Sequence, residues 1–363
     1  MKSLHARLCL LFITVALFSC SPLDENIDEQ VFDPSSDQLF SRNDSEDDSI
    51  SHRGIYVNNF ENDILGTIEE LNLLHWCNQN SFNEVTLYNI SSILDDQYKT
   101  FLLTNFVAKA HAFNIRVSFV ASSEEAINKI EDYQNLVGSS FLQSDGLATE
   151  YEFWNSNTAN VSYDYYHKNM LKPLKRLDDD SDYDWKQQLY ISEFEDAAGQ
   201  YTNDKVLKKV LQHLKKGDGN DQIFLVNYRT NAQNFPTDSN SNHYQRIQSI
   251  ADVAKKKKIQ VNIVVLFMTR EDTTPSLFNY FSDLGEGNDF QDAFISYRNG
   301  FYNSDIKHKD YINLEGYQVY RYSDAKIAKP LLQHYQEEYD IVEGDDEDEE
   351  DDDNDDDDDE DDD

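Results

Sequence analysis

Eight short β-rich runs, each followed by a segment of helical period, constrain this chain more than any other feature. The runs are Gly54–Phe60, Glu84–Ile90, Ile115–Ala121, Leu147–Trp154, Gln188–Phe194, Ile223–Tyr228, Val261–Met268 and Gly316–Tyr322. Helical candidates follow them at Ile64–Cys77, Gln97–Phe113, Ser123–Val137, Tyr163–Leu177, Asp204–Leu214, Tyr244–Lys257, Phe290–Phe301 and Asp324–Tyr339. Strict alternation of strand and helix is the pattern of βαβ units and a parallel sheet. Eight such pairs within residues 53–340 predict an α/β fold, a (β/α)8 TIM barrel. The rival is an open doubly wound sheet. No Gly-x-Gly-x-x-Gly or Walker-type loop follows any of the runs, so nucleotide and dinucleotide cofactors have no support.

The ends of the chain read differently from its middle. Lys2 and Arg7 precede an apolar run from Leu8 to Phe18, too short to span a bilayer and laid out as a secretory signal over residues 1–19. Leu17-Phe18-Ser19-Cys20 resembles the bacterial lipobox, which implies cleavage before Cys20, lipidation there, and a membrane partner through that anchor. Residues 20–52 are Asp-, Glu-, Ser- and Asn-rich and predict a flexible acidic tether. An acidic stretch after a lipidated cysteine resembles the export signals of surface lipoproteins in Bacteroidetes-type bacteria, which implies the cell envelope and its outer membrane. Residues 341–363 predict a disordered acidic tail, in which 18 of the 19 residues from Asp345 are acidic, out of a net charge of −39. That balance repels phosphate backbones and excludes nucleic acid as a partner.

The run Ser144–Trp154 holds the most chemistry. Strand side chains alternate, so Ala148, Glu150, Glu152 and Trp154 share one face while Leu147, Thr149, Tyr151 and Phe153 share the helix-packing face. Two carboxylates one strand repeat apart thus point into a barrel interior, where burial is expensive without a purpose. If the ends of the strands converge on one mouth, they bring Asn58, Asn59, Tyr88, Asn89, Glu193, Glu195, Tyr228, Arg229, Thr269, Arg270, Glu271, Tyr320 and Tyr322 to the same rim. Carboxylates, tyrosines, amides and a tryptophan suit a glycan ligand. The Asn- and Ser-rich segment from Thr230 to His243 reads as a rim loop.

From Asp145 to Glu152 the chain resembles the Asp-x-x-Asp-x-Asp-x-Glu strand-four signature of glycoside hydrolase family 18, the chitinases and endo-β-N-acetylglucosaminidases. The resemblance covers about ten residues. It implies a (β/α)8 barrel and action on N-acetylhexosamine-containing glycans without metal or cofactor. Glu152 falls on the general acid and Glu150 on the residue that orients the substrate acetamido group. Asp145 matches the first Asp, and Tyr228 corresponds to the tyrosine of the sixth-strand Met-x-Tyr-Asp. With Trp154, Glu193, Arg229 and Tyr88, Asp145 and Tyr228 make up the expected substrate-binding set. Ala148 departs from the middle Asp, Glu150 is a methylene longer than its counterpart, and Arg229 reverses the charge of the final Asp. Arg229 is therefore expected to pair with Glu193 or Glu150, which favours a non-catalytic glycan-binding or assembly protein as the alternative. Two close carboxylates push their titrations apart, leaving one protonated near neutrality. A further scheme pairs Glu152 with Glu193 or Glu195.

The remaining features read as structural. His75, Trp76 and Cys77 suit core packing, Lys255–Lys258 suit a helix end, and neither Asp178–Asp184 nor the tail has the ligand spacing of an EF-hand loop. Scattered histidines and three cysteines predict no metal site and no disulfide framework. Nothing in the sequence sets the oligomeric state.

Overall fold

The computed structural model describes residues 50–155, 162–180, 185–194, 203–214, 220–272, 276–282 and 288–332. The signal sequence, Cys20, all of the tether before Ile50, Glu195 and the acidic tail lie outside these residues.

The chain is a (β/α)8 TIM barrel. Its strands are β1 (His52–Val57), β2 (Glu84–Leu87), β3 (Arg116–Ala121), β4 (Gly146–Thr149), β5 (Lys186–Ile191), β6 (Gln222–Val226), β7 (Val261–Met268) and β8 (Ile312–Tyr320). They pair in parallel in chain order, and β8 closes the ring on β1. Helices cover the outside at Glu69–Gln79, Gln97–Ala112, Glu124–Val137, Lys172–Asp180, Asn203–Leu214, Asn242–Lys257, Phe290–Asn303 and Tyr322–Ala328. Several start on a side chain that accepts from the first turn: Asp96 from Tyr98 N and Lys99 N, Ser123 from Ala126 N, and Ser241 from Tyr244 N.

Two boundaries differ from expectation. β1 starts at His52 and Ile50 is already buried, so the barrel begins inside the tract read as tether. The last helix stops at Ala328 and does not run on toward Tyr339, because Pro330 disfavours helical backbone at Lys329.

The period-2 alternation of the strands sorts side chains into two cores. Outward residues such as Val85, Phe119, Leu147, Leu189 and Phe267 pack under the helices with Leu73, Phe106, Ile130 and Ile250. Each such side chain contributes about 1.5–3 kcal/mol by leaving water. Inward residues form a smaller cluster of Tyr56, Val120, Ala148, Tyr190, Phe224, Val226, Val264 and Leu266. Below that cluster, at the end where the strands begin, the interior is polar and fully buried: His52, Glu84, Thr86, Ser118, Gln188, Gln222 and Gln318. Gly54 belongs to this layer for a steric reason, since a Cβ there would collide with the Gln318 amide. That amide bridges His52 Nε2 at 2.9 Å and the Thr86 hydroxyl at 3.1 Å. The barrel is therefore graded from a polar floor through an apolar waist to an aromatic mouth.

Candidate functional site

The mouth is built where β4 ends. The ladder persists one residue beyond Thr149, with Glu150 N donating to Ala121 O at 3.0 Å, and this keeps Glu150 on the same inward side as Ala148. The expected strand through Trp154 does not form. Beyond Glu150 the chain turns, with Phe153 N bonded to Tyr151 O and Asn155 N to Glu152 O, both at 3.0 Å. Aromatic anchors hold this turn. Phe153 is buried against Tyr163 and Tyr166, and Tyr151 stacks on Tyr165 at 5.2 Å.

Glu150 and Glu152 differ sharply in surroundings. Burial pushes the Glu150 carboxyl up to about 7; a hydrogen bond from the Tyr88 hydroxyl opposes this and the charge of Glu152 adds to it. Glu152 accepts from the Tyr190 hydroxyl at 3.3 Å and from Asn155 Nδ2 at 3.1 Å. Tyr228 in turn hydrogen-bonds Tyr190, so a short relay of hydroxyls leads to Glu152. Among the described residues no Lys, Arg or His lies within ion-pair distance of either carboxylate.

Five tyrosines and a tryptophan surround the pair. Tyr56 and Tyr190 are nearly sealed; Tyr88 stands 5.2 Å and Tyr320 6.0 Å from Tyr56, ring to ring. Tyr228 lies 6.2 Å from Tyr320, and Trp154 lies 5.8 Å from Tyr190. Burial first, and then Glu150 and the neighbouring rings, raise the hydroxyls of Tyr56, Tyr88 and Tyr228, so they remain donors at any physiological pH. A cavity of about 350 Å³ opens beside Glu150, lined also by Tyr88, Asn89, Val120 and Ser122.

The structure gathers Glu150, Glu152, Trp154, Tyr88 and Tyr228 at this mouth, with Asn89 and Tyr320, and sets Asp145, Arg229 and Glu193 apart from the two carboxylates. Asp145 precedes β4 and sits at the opposite end of the barrel, where it accepts from Val117 N at 2.7 Å and meets His111 Nε2 at 2.9 Å. It fixes the start of the strand and does not face the mouth. Arg229 pairs with neither Glu150 nor Glu193; its guanidinium donates to the carbonyls of Asn231 and Asn234 at 3.4 and 2.6 Å. Those bonds, with Ala232 and Phe235 buried, pin the rim loop after β6. Glu193 is exposed beyond β5, and its electrostatic partner is Arg246 on helix Asn242–Lys257. Glu195 falls outside the described residues. Tyr322 turns outward onto Trp76, 5.3 Å away.

Sequence reasoning missed Tyr56 and Tyr190. Both lie at inward positions two residues after Gly54 and Gln188, so the period-2 count along β1 and β5 would have found them. Among the described residues no group of three or more His, Cys, Asp or Glu is placed to hold a metal ion.

Solved structures offer two points of comparison. The chain is similar to a GH18 chitinase from Pseudoalteromonas aurantia, at 14% identity and a TM-score of 0.43, over 79% of this chain and 99% of that one. It is also similar to a putative phosphonomutase from Burkholderia cenocepacia J2315, at 10% identity and a TM-score of 0.37, over 80% of this chain and 92% of that one. No protein-family model and no curated protein matches the chain.

Proposed function

We propose that the mouth binds and cleaves a glycan containing N-acetylhexosamine, and that the protein is held in the bacterial envelope, at the outer membrane, by lipid on Cys20. The observation that carries this reading is a buried carboxyl with a pKa of about 7, Glu150, beside a second carboxylate in an aromatic hollow. Such a pair can divide the work of a proton donor and a charged partner at neutral pH. Tyrosine and tryptophan faces suit the apolar faces of sugar rings, and the tyrosine hydroxyls supply donors for an acetamido carbonyl.

Burial lets Glu150 keep its proton near neutrality and serve as donor, and Glu152, fixed by Tyr190 and Asn155, is the positioned partner. In this reading Glu150 protonates the glycosidic oxygen while Glu152 orients the acetamido group for attack on the anomeric carbon. This exchanges the two roles implied by the strand-four resemblance.

The second reading, glycan binding without cleavage, is favoured by Ala148, which is wholly buried and leaves the pair without a third acid. Incubation with N-acetylglucosamine oligomers separates the two. Hydrolysis that disappears in both Glu150→Gln and Glu152→Gln while binding persists supports cleavage. Binding without hydrolysis in the unaltered protein supports the second reading, and absence of both sinks the carbohydrate proposal. The anchor is tested by labelled palmitate, which should enter the native chain and not Cys20→Ala.

A further inference from the structure

A cluster of cations on the floor end of the barrel has no anionic partner in the described structure. Lys255, Lys256 and Lys257 form the last turn of helix Asn242–Lys257, and Lys258 caps it. A second segment meets them just before β8: Lys255 Nζ is 3.2 Å from His308 Nε2, and Gln248 holds both the N–H and the carbonyl of Lys307. Lys309 Nζ donates to the carbonyls of Tyr302 and Ser304 at 2.5 and 2.6 Å. Among the described residues none of these six lysines has a carboxylate within ion-pair distance; Lys99, Lys109, Lys129, Lys186, Lys208 and Lys326 each do, and Lys168, Lys172, Lys205, Lys209 and Lys329 do not.

A helix C-terminus favours positive charge, which accounts for the first three lysines. The same rule covers Lys309, whose Nζ caps the last carbonyls of helix Phe290–Asn303, but not Lys307, whose backbone Gln248 holds against helix Asn242–Lys257. In a chain of net charge −39, six lysines left without a carboxylate invite an anion from elsewhere.

The chain itself leaves the barrel on this face. Gln79, five residues before β2, accepts from Leu332 N at 2.8 Å and donates to Pro330 O at 3.0 Å. Residues 333–344 then separate Leu332 from the acidic run Asp345–Asp363. Twelve residues span at most about 40 Å, and roughly 19 Å as a flexible coil. An extended linker can carry the run from β2 toward the starts of β8 and β7, which stand two and three places from β2 around the ring through β1.

We propose that the acidic run Asp345–Asp363 docks on the lysine cluster of its own chain. One exposed ion pair contributes little. Eighteen tethered carboxylates facing six lysines act at an effective concentration on the order of millimolar, and their contacts add.

Zero-length carbodiimide crosslinking of the full chain tests this. Within the monomer, crosslinks should run from Lys255–Lys258, Lys307 and Lys309 to Asp345–Asp363, and should fall several-fold at about 0.5 M salt. Replacing the exposed Lys256, Lys258 and Lys307 together by Gln should remove most of them without unfolding the protein. Crosslinks spread evenly over all exposed lysines, confined to dimers, or insensitive to salt would overturn the proposal. So would binding of the full chain to phosphatidylglycerol vesicles that is lost in the triple variant, since the cluster would then face lipid.

Discussion

The two ends of the barrel each bury a glutamate, and they hold it in opposite conditions. At the floor, Glu84 is 1% exposed and accepts from the Ser118 hydroxyl at 2.8 Å and from Gln188, with Arg116 Nε at 3.2 Å and His52 Nδ1 at 3.3 Å. Burial pushes its carboxyl up, but His52, then Arg116 and Lys186, outweigh it and hold the pKa well below the usual range. At the mouth, Glu150 is less deeply buried, with hydroxyls and a second carboxylate around it, and burial raises it to about 7. Cations supplied by the fold separate the two outcomes. A carboxylate neutralised from within belongs to the scaffold, whereas one left uncompensated beside a cavity is kept against stability and is where function concentrates.

The largest expected break in this contrast is Glu84→Ala. Removing the anion leaves Arg116 and His52 without it and strips Ser118 and Gln188 of their acceptor, which should cost about 3–5 kcal/mol in urea unfolding. A loss below about 1 kcal/mol would mean that the floor network does not hold the barrel.

Glu150→Gln should act in the opposite direction. A carboxyl at about 7 in the fold and 4.5 in the unfolded chain binds its proton more tightly when folded. Stability from this group is therefore greatest below about pH 4.5, declines as pH rises to about 7, and is then flat, a difference of roughly 3 kcal/mol. Glu150→Gln should remove the decline, leaving the variant more stable than the parent at pH 8 by up to that amount and similar at pH 4. An unchanged pH profile would place Glu150 in water. Glu84, with its depressed pKa, contributes stability that disappears only in acid, below its ordinary range.

If cleavage is found, its rate should fall about tenfold for each pH unit above about 7, as Glu150 loses the proton it donates. A flat profile from pH 6 to 9 would assign the donor elsewhere. The smallest effect belongs to Tyr190→Phe, which removes one donor from Glu152. It should cost about 0.5–1.5 kcal/mol and lower glycan affinity or turnover by less than the two glutamate variants do.

Much of the fold was legible because strands buried on both faces advertise themselves. β7 runs from Val261 to Met268 as its apolar stretch, interrupted only by Asn262, predicted. β4 was overrun because alternation outlived the ladder: Phe153 stays buried, as an outward strand residue would, but under helical tyrosines in a turn. Spacing alone found Glu150 and Glu152. Asp145 was misplaced because the strand begins at Gly146, which leaves that residue on the wrong end of it. The partners of Arg229 are main-chain carbonyls, which carry no mark in a sequence. Tyr56 and Tyr190 hid among 22 tyrosines until the strand register showed which ones face inward.

Ala148 sets a limit on redesign. It stands in register between Val120 and Gln188, with none of its surface reaching solvent. Grafting an aspartate there to rebuild a run of three acids would insert a charge into the sealed interior of the tube, beside Val120 and Gln188. Sealed from water, such a residue would face the full cost of a buried charge and would hold its proton.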